Sequence, residues 1–243
     1  MCNGIRETEI SLRNGLRLSC DVQDYNGRML YFWGTADPKI VALCRKHLNH
    51  GDLFLDIGAN YGSIGLQCLD AVGSRGKVLF YEPNISLCKA VSKCIEENRI
   101  ANAYVHCCGL WDSSGSMQLS LNTLHSGAAH LVECDSNLNS LVEVRDIKKE
   151  LKEQIGTNSF GTKIDVEGAE HRLLPSIVSH TGFRFAIVES HSNATRNCVL
   201  QLKNQLDLMV FGISTSPLRV KTIPIINPSD IDAYHDLLIT RPT

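Results

Sequence analysis

Several apolar runs in this sequence end in acidic residues. The first of these ends, together with the glycines behind it, has the make-up of a nucleoside-binding turn. The stretch Asp56-Ile57-Gly58-Ala59-Asn60-Tyr61-Gly62 directly follows Leu53-Phe54-Leu55. Gly58 and Gly62 permit a tight turn and a close approach of backbone to a ligand. A helix starting near Gly62 would aim its free N–H groups at that turn, where an anionic group is stabilised. The dinucleotide fingerprint has a glycine mid-turn to admit a pyrophosphate, whereas this chain has Asn60. A carboxylate, bound by Asn60 and the backbone, suits that turn better than a pyrophosphate. Taken alone, the two glycines serve equally well as the geometry of a strand-to-helix connection.

The turn has a partner in Glu82, which stands 20 residues beyond Gly62 at the end of the next apolar run. An acidic residue there can accept two hydrogen bonds from a ribose diol, and Pro83 ends the strand sharply. A nucleoside at one end and a carboxylate at the other describe S-adenosylmethionine.

The elements that must position these residues alternate. Residues 1–35 read as short strands and turns, with breaks at Asn14-Gly15 and Gly27. Asp37-Pro38 opens a helix, with Asp37 as cap and Pro38 in its first turn. Strands are expected at 53–57, 77–81, 103–107, 117–121, 160–165, 185–189, 208–213 and 236–240. Helices are expected at 62–71, 86–98, 145–155, 169–179 and 194–205, and a polar loop or flap at 122–140. Strands alternating with helices imply parallel pairing and a sheet covered on both faces. Ligands in such sheets lie beyond the carboxyl ends of the strands. That rule selects residues 56–62, Glu82, 107–112, 165–170 and 189–191.

Three blocks occur in order: Asp56 to Gly62, Tyr81-Glu82-Pro83, and Lys163-Ile164-Asp165-Val166-Glu167-Gly168-Ala169-Glu170. They resemble the signature blocks of the FkbM-type S-adenosylmethionine-dependent methyltransferases, over roughly residues 50–190. Gly109-Leu110-Trp111-Asp112 is similar to that family's segment after the third strand. The resemblance implies an α/β, Rossmann-like class I methyltransferase fold. Its seven-stranded, mostly parallel sheet would have an antiparallel last strand and helices on both faces. Residues 1–50 would be a lead-in or cap and residues 51–243 the methyltransferase domain. It also implies O-methylation of a hydroxyl on a sugar or secondary metabolite. Asp56, Gly58, Asn60 and Gly62 would line the methionine half of the cofactor, Glu82 the ribose, and Cys108 to Asp112, with Trp111, the adenine. Asp165 would border the cofactor, and Asp165, Glu167 and Glu170 would face the methyl group and the acceptor.

Methyl transfer to an alcohol requires a positioned acceptor and a base or metal. The candidate bases are Asp165, Glu167, Glu189, His125 and His191; His125 and Glu189, with Glu170, are also candidate acceptor contacts. Glu170 could equally stabilise the start of its own helix, and both histidines could be ordinary surface residues. Asp165 and Glu189 should end neighbouring strands, where two carboxylates could hold Mg²⁺.

Composition narrows the acceptor. The 243-residue chain has a formal charge of −2 and 6% aromatic residues. Binders of nucleic acid usually show a basic excess and stacking aromatics, so an RNA methyltransferase is the weaker reading. A nicotinamide-dependent oxidoreductase is disfavoured by Asn60. A non-catalytic cofactor-binding protein would not need acidic residues after three strands. The ten cysteines include no C-x-x-C pair and are expected to be free thiols in a reducing cytoplasm. The sequons at Asn84 and Asn193 are then chance matches. With no signal pattern and no long apolar run, neither a membrane nor a nucleic acid is an expected partner. The expected partner is a small hydroxylated molecule.

Overall fold

The computed structural model describes residues 7–121, 124–132, 141–214 and 220–242. The strands in chain order are β1 (Glu7–Ser11), β2 (Arg17–Asp21), β3 (Leu53–Ile57), β4 (Lys77–Tyr81), β5 (Ala103–His106), β6 (Gly109–Trp111), β7 (Gly115–Ser120), β8 (His130–Val132), β9 (Leu141–Asp146), β10 (Phe160–Ile164), β11 (Phe183–Glu189), β12 (Met209–Ile213), β13 (Thr222–Pro224) and β14 (Asp236–Thr240). The helices are α1 (Tyr25–Trp33), α2 (Pro38–His47), α3 (Ser63–Leu66), α4 (Leu69–Val72), α5 (Ile85–Glu97), α6 (Ile147–Glu150), α7 (Glu170–Ser179) and α8 (Asn193–Leu206).

The central sheet has the order β13-β12-β14-β11-β10-β3-β4-β5. β5, β4, β3, β10 and β11 are parallel, and β14 runs antiparallel between β11 and β12. From β3 the chain builds toward β5 on one side and, later, through β10 on the other. The switch point of strand order therefore lies between β3 and β10, where open α/β sheets bind ligands. Side chains of β3 alternate between the two faces. Phe54 joins a core with Ile40, Cys44, Val91 and Phe185, while Leu53, Leu55 and Ile57 join Leu79, Leu173 and Val188 on the other face.

The expected seven strands are present, and β13 adds an eighth by pairing antiparallel with β12 at the sheet edge. It has three residues, mostly exposed, and ends in Pro224, so no alternation announced it. A separate sheet, β6-β9-β7-β8, contains part of the stretch expected to be a loop. Residues 122–123 and 133–140 of that stretch lie outside the described residues, as do Cys2 and Cys134. The helix expected from residue 145 begins at Ile147, because Asp146 accepts from the Lys148 N–H as cap and residues 141–146 pair with β6 and β7. The helix expected over 62–71 is broken into α3 and α4.

The lead-in also departs from expectation, since residues 25–33 form a helix. Asp24 caps it by accepting from Gly27 N, and Gly34 closes it in a left-handed conformation. Gly27 marks close packing rather than a break, because a Cβ there would sit 1.9 Å from the Asp21 carbonyl oxygen. The end of α1 exposes Tyr31, Phe32 and Trp33, which hides the apolar stripe that would have marked a helix.

The described cysteines are free, and all but Cys107 and Cys198 are buried. Among the described residues no helix is long and apolar enough to cross a membrane.

Candidate active site

The turn after β3 is pinned from several sides. Gly58 has φ +70°, and a Cβ there would lie 1.7 Å from the Asp165 carbonyl oxygen. The glycine is required by the end of β10, independently of any ligand. Gly62, at φ +69°, precedes α3 and leaves room for Val91. Asn60 takes φ +52°, a region that asparagine tolerates better than most residues. Its N–H donates to Glu82 Oε2 at 2.8 Å, and its side-chain amide donates to Ser126 Oγ at 2.9 Å. Ser126 Oγ in turn donates to Asp24 Oδ2 at 2.9 Å. This chain of bonds joins the turn after β3, Ser126 and the start of α1.

Asp56 lies beneath the turn. It is fully buried, and its Oδ2 accepts from Gly65 N at 2.9 Å. Burial, the largest influence, pushes its carboxyl up to about 6. Asp56 thus braces the turn and does not line either cavity described below, unlike its expected place along the methionine half.

Glu82 is buried at the end of β4. Its Oε1 accepts from Asn84 N at 2.9 Å, while Oε2 holds Asn60 N. Burial raises it to about 7 against the pull of those two N–H groups. One cleft brings Glu82 together with Gly58, Asn60, Gly109, Leu110 and Asp165. Trp111 and Asp112 are not in its wall. Trp111 packs with Met117, Val144 and Ala169 under the Arg172 guanidinium, 4.7 Å from the ring centre. Asp112 accepts from the same arginine at 2.9 Å. Of the residues expected on the adenine side, Gly109 and Leu110 line the cleft.

A second cavity adjoins the first and shares Asn26, Asn60 and Asp165 with it. Its remaining lining includes Leu30, Asp37 and Ile40 from the lead-in, and Lys163, Glu189 and Asp236 from strand ends. Asp236 faces Glu189 because the two are register partners of β14 and β11.

At the shared wall, Asp165, Glu167 and Glu189 each place a carboxylate oxygen within 4.8 Å of the others. Burial, and next the Asp165 charge, raise the Glu189 carboxyl well above the usual range and raise Glu167 to about 7. The crowding disfavours the charged form of Glu189 most of all. Lys163 Nζ lies 3.3 Å from Asp165 Oδ2. His191 is half-exposed at the rim, its Nε2 2.9 Å from Glu189 Oε1, and it lines neither cavity.

Two expected acceptor contacts lie elsewhere. Glu170 is buried and turned inward: Oε1 accepts from Val166 N at 3.1 Å and Gly168 N at 3.0 Å, and Oε2 from Thr195 Oγ1 at 3.0 Å. It holds the loop that carries Asp165 and Glu167. Glu170→Ala is expected to destabilise the fold by about 3 kcal/mol, since buried donors lose a charged acceptor; urea denaturation measures it. His125 packs edge-on against Tyr25, with ring centroids 4.9 Å apart, and lines neither cavity; its neighbour Ser126 reaches the cleft instead. Sequence reasoning also passed over Lys163, Asn26 and Asp236. Lys163 was visible within its block, but Asn26 and Ser126 arrive through long-range packing that no local pattern records.

No family model matches the chain, and no curated protein matches it. Solved structures do. The methyltransferase FkbM from Methylobacillus flagellatus superposes with a TM-score of 0.50 at 17% identity, over 89% of this chain and 55% of that one. The fold is that of the class I methyltransferases. The chain therefore spans little more than half the length of the FkbM structure. TYW2 of P. horikoshii, solved in complex with MeSAdo, gives a TM-score of 0.50 at 12% identity, over 98% of this chain and 72% of that one. The class I methyltransferase sheet agrees with the strand order that starts at β3 and reverses at β10, and β13 is an addition at its edge.

Proposed function

We propose that the chain is an S-adenosylmethionine-dependent O-methyltransferase acting on a small hydroxylated acceptor. The observation that carries this reading is the placement of Glu82 and Asp165 on one cleft at the switch point, with the Gly58–Asn60 turn between them. Glu82 keeps lone pairs free for a ribose diol after serving Asn60 and Asn84. Gly109 and Leu110 line the same cleft and would border the base. S-adenosylmethionine, when bound, supplies an electrophilic methyl group on a sulfonium.

The chain's own residues do the rest. Asn60 and Asp165 stand where the two cavities meet, so an acceptor in the second cavity is held against the end of the first. Asp165 takes the acceptor's hydroxyl proton. Glu189, which holds a proton of its own, releases that proton to His191 at the rim, and His191 passes it to water. Leu30 and Ile40 exclude solvent from the acceptor side, which gives the lead-in, residues 1–50, its role as a cap.

Were Mg²⁺ bound, Asp165, Glu167 and Glu189 would supply the oxygen donors it prefers. Lys163 already places a positive charge beside Asp165. Turnover is accordingly expected to be the same in EDTA as in added Mg²⁺; a loss in EDTA restored by Mg²⁺ would overturn that.

Asp37 and Asp165 on the wall of the second cavity would repel a phosphate backbone, which favours a small acceptor over RNA. Calorimetric titration with S-adenosylhomocysteine and with NADH tests the cofactor. Mass spectrometry of hydroxylated acceptors incubated with labelled cofactor tests the reaction. Binding of NADH alone, or methylation of RNA alone, sinks the proposal.

A further inference from the structure

Lys163 is a buried cation to which the proposed chemistry assigns no step. It is 7% exposed and sits in β10 as the register partner of Asp56 in β3. An ion pair with Asp56 would be the simplest structural explanation of a buried lysine. The geometry is different. Nζ donates to the Gly58 carbonyl at 2.6 Å and lies 3.3 Å from Asp165 Oδ2, but 3.8 Å from Asp56 Oδ1. That Asp56 oxygen is buried and has no hydrogen-bond partner. Lys163 therefore leaves its register partner incompletely satisfied and reaches toward the strand ends, where it lines the second cavity. Its ammonium is held between the Gly58 carbonyl and the Asp165 carboxylate.

A positive charge at this place matters for methyl transfer. The sulfonium loses its charge as the methyl group leaves. Carboxylates near it stabilise the cationic ground state more than the transition state, and that difference adds to the barrier. Asp165, Glu167 and Glu189 form such a group. We propose that Lys163 is a positioning residue that ties the cofactor turn to Asp165 and offsets the acidic cluster, limiting the site's preference for a sulfonium over a thioether. This rests on the function proposed above.

The test is the ratio of two dissociation constants, for S-adenosylhomocysteine over S-adenosylmethionine, measured by calorimetry on the full chain. Lys163→Met is expected to raise the ratio about tenfold, the effect of one unit charge acting over about 12 Å through a dielectric constant of about 20. Its kcat should fall while KM for S-adenosylmethionine falls too. Lys163→Arg, which keeps the charge, should stay within about twofold of wild type in the ratio. A purely structural lysine would weaken both ligands alike and leave the ratio fixed, and that result overturns the proposal. Should Lys163→Met fail to fold, as judged by its thermal melt, Asp56→Asn decides the matter. Above the Asp56 value of about 6 it removes a negative charge, so the ratio should fall; an unchanged ratio again overturns the proposal. Wild-type protein that binds neither ligand would overturn the function itself. Wild-type protein that binds both, with variants of unaltered ratio, would overturn only the role of Lys163.

Discussion

Asp165→Ala is expected to abolish measurable turnover, a loss of about a thousandfold or more in kcat, while S-adenosylhomocysteine still binds. The expectation follows from where Asp165 stands. Among the described residues it is the one carboxylate that lines both cavities, and β10 delivers it to the switch point of the sheet. Its loop is fixed by Glu170 through the N–H groups of Val166 and Gly168, so the carboxylate is presented by a braced loop. Lys163 Nζ, 3.3 Å from its Oδ2, holds the carboxylate in place. Asp165→Asn separates chemistry from packing, since the amide keeps the shape and loses the basicity. Both variants should show a wild-type thermal melt within a few degrees and a low kcat. A rate in Asp165→Asn near that of wild type would transfer the role of base to Glu189 or His191, and Glu189→Gln and His191→Ala would then be compared in the same assay.

The parts of the fold legible in the sequence are those governed by local rules. The apolar runs of β3, β4 and β11 are short and followed by acids, as buried parallel strands should be; β10 is buried throughout although it carries Thr162 and Lys163. Asp37-Pro38 marked the start of α2 because a cap and a proline act within one turn. Glycines at 58 and 62 were legible as a turn, although the reason Gly58 must be glycine, contact with the Asp165 carbonyl, belongs to tertiary structure. α1 was missed because its end exposes aromatic residues, and β13 because three residues carry no period. At the site, residue type predicted position better than it predicted direction. Glu170 and Asp165 lie in the same block, yet one turns into the core and the other into the cleft. Trp111 and Asp112 follow Leu110 directly, yet they are held away from the cleft by Arg172.

The cofactor side makes the second large prediction. Glu82→Ala is expected to weaken S-adenosylhomocysteine binding about a hundredfold, the equivalent of two lost charge-assisted hydrogen bonds. The two ribose hydroxyls lose their acceptor, and the N–H groups of Asn60 and Asn84 lose theirs, so the turn itself loosens. Glu82→Gln isolates the charge: it keeps the bulk and one acceptor oxygen. Burial raises this carboxyl to about 7 from an unperturbed 4.5, which makes binding depend on pH. The ionised form accepts on both oxygens, so affinity should increase as pH rises through about 7. Stability should run the opposite way. The folded state holds this proton more tightly than the unfolded chain does, so the contribution of Glu82 is fully present below about 4.5 and is lost as pH rises through about 7. Glu82→Gln should flatten both dependences. Calorimetry and urea denaturation on either side of neutral pH measure them. A Glu82→Ala protein with wild-type affinity, or a Glu82→Gln protein that keeps the wild-type pH dependence of binding, would remove Glu82 from the cofactor site and leave Gly58, Asn60 and the base wall of Gly109 and Leu110 to account for binding.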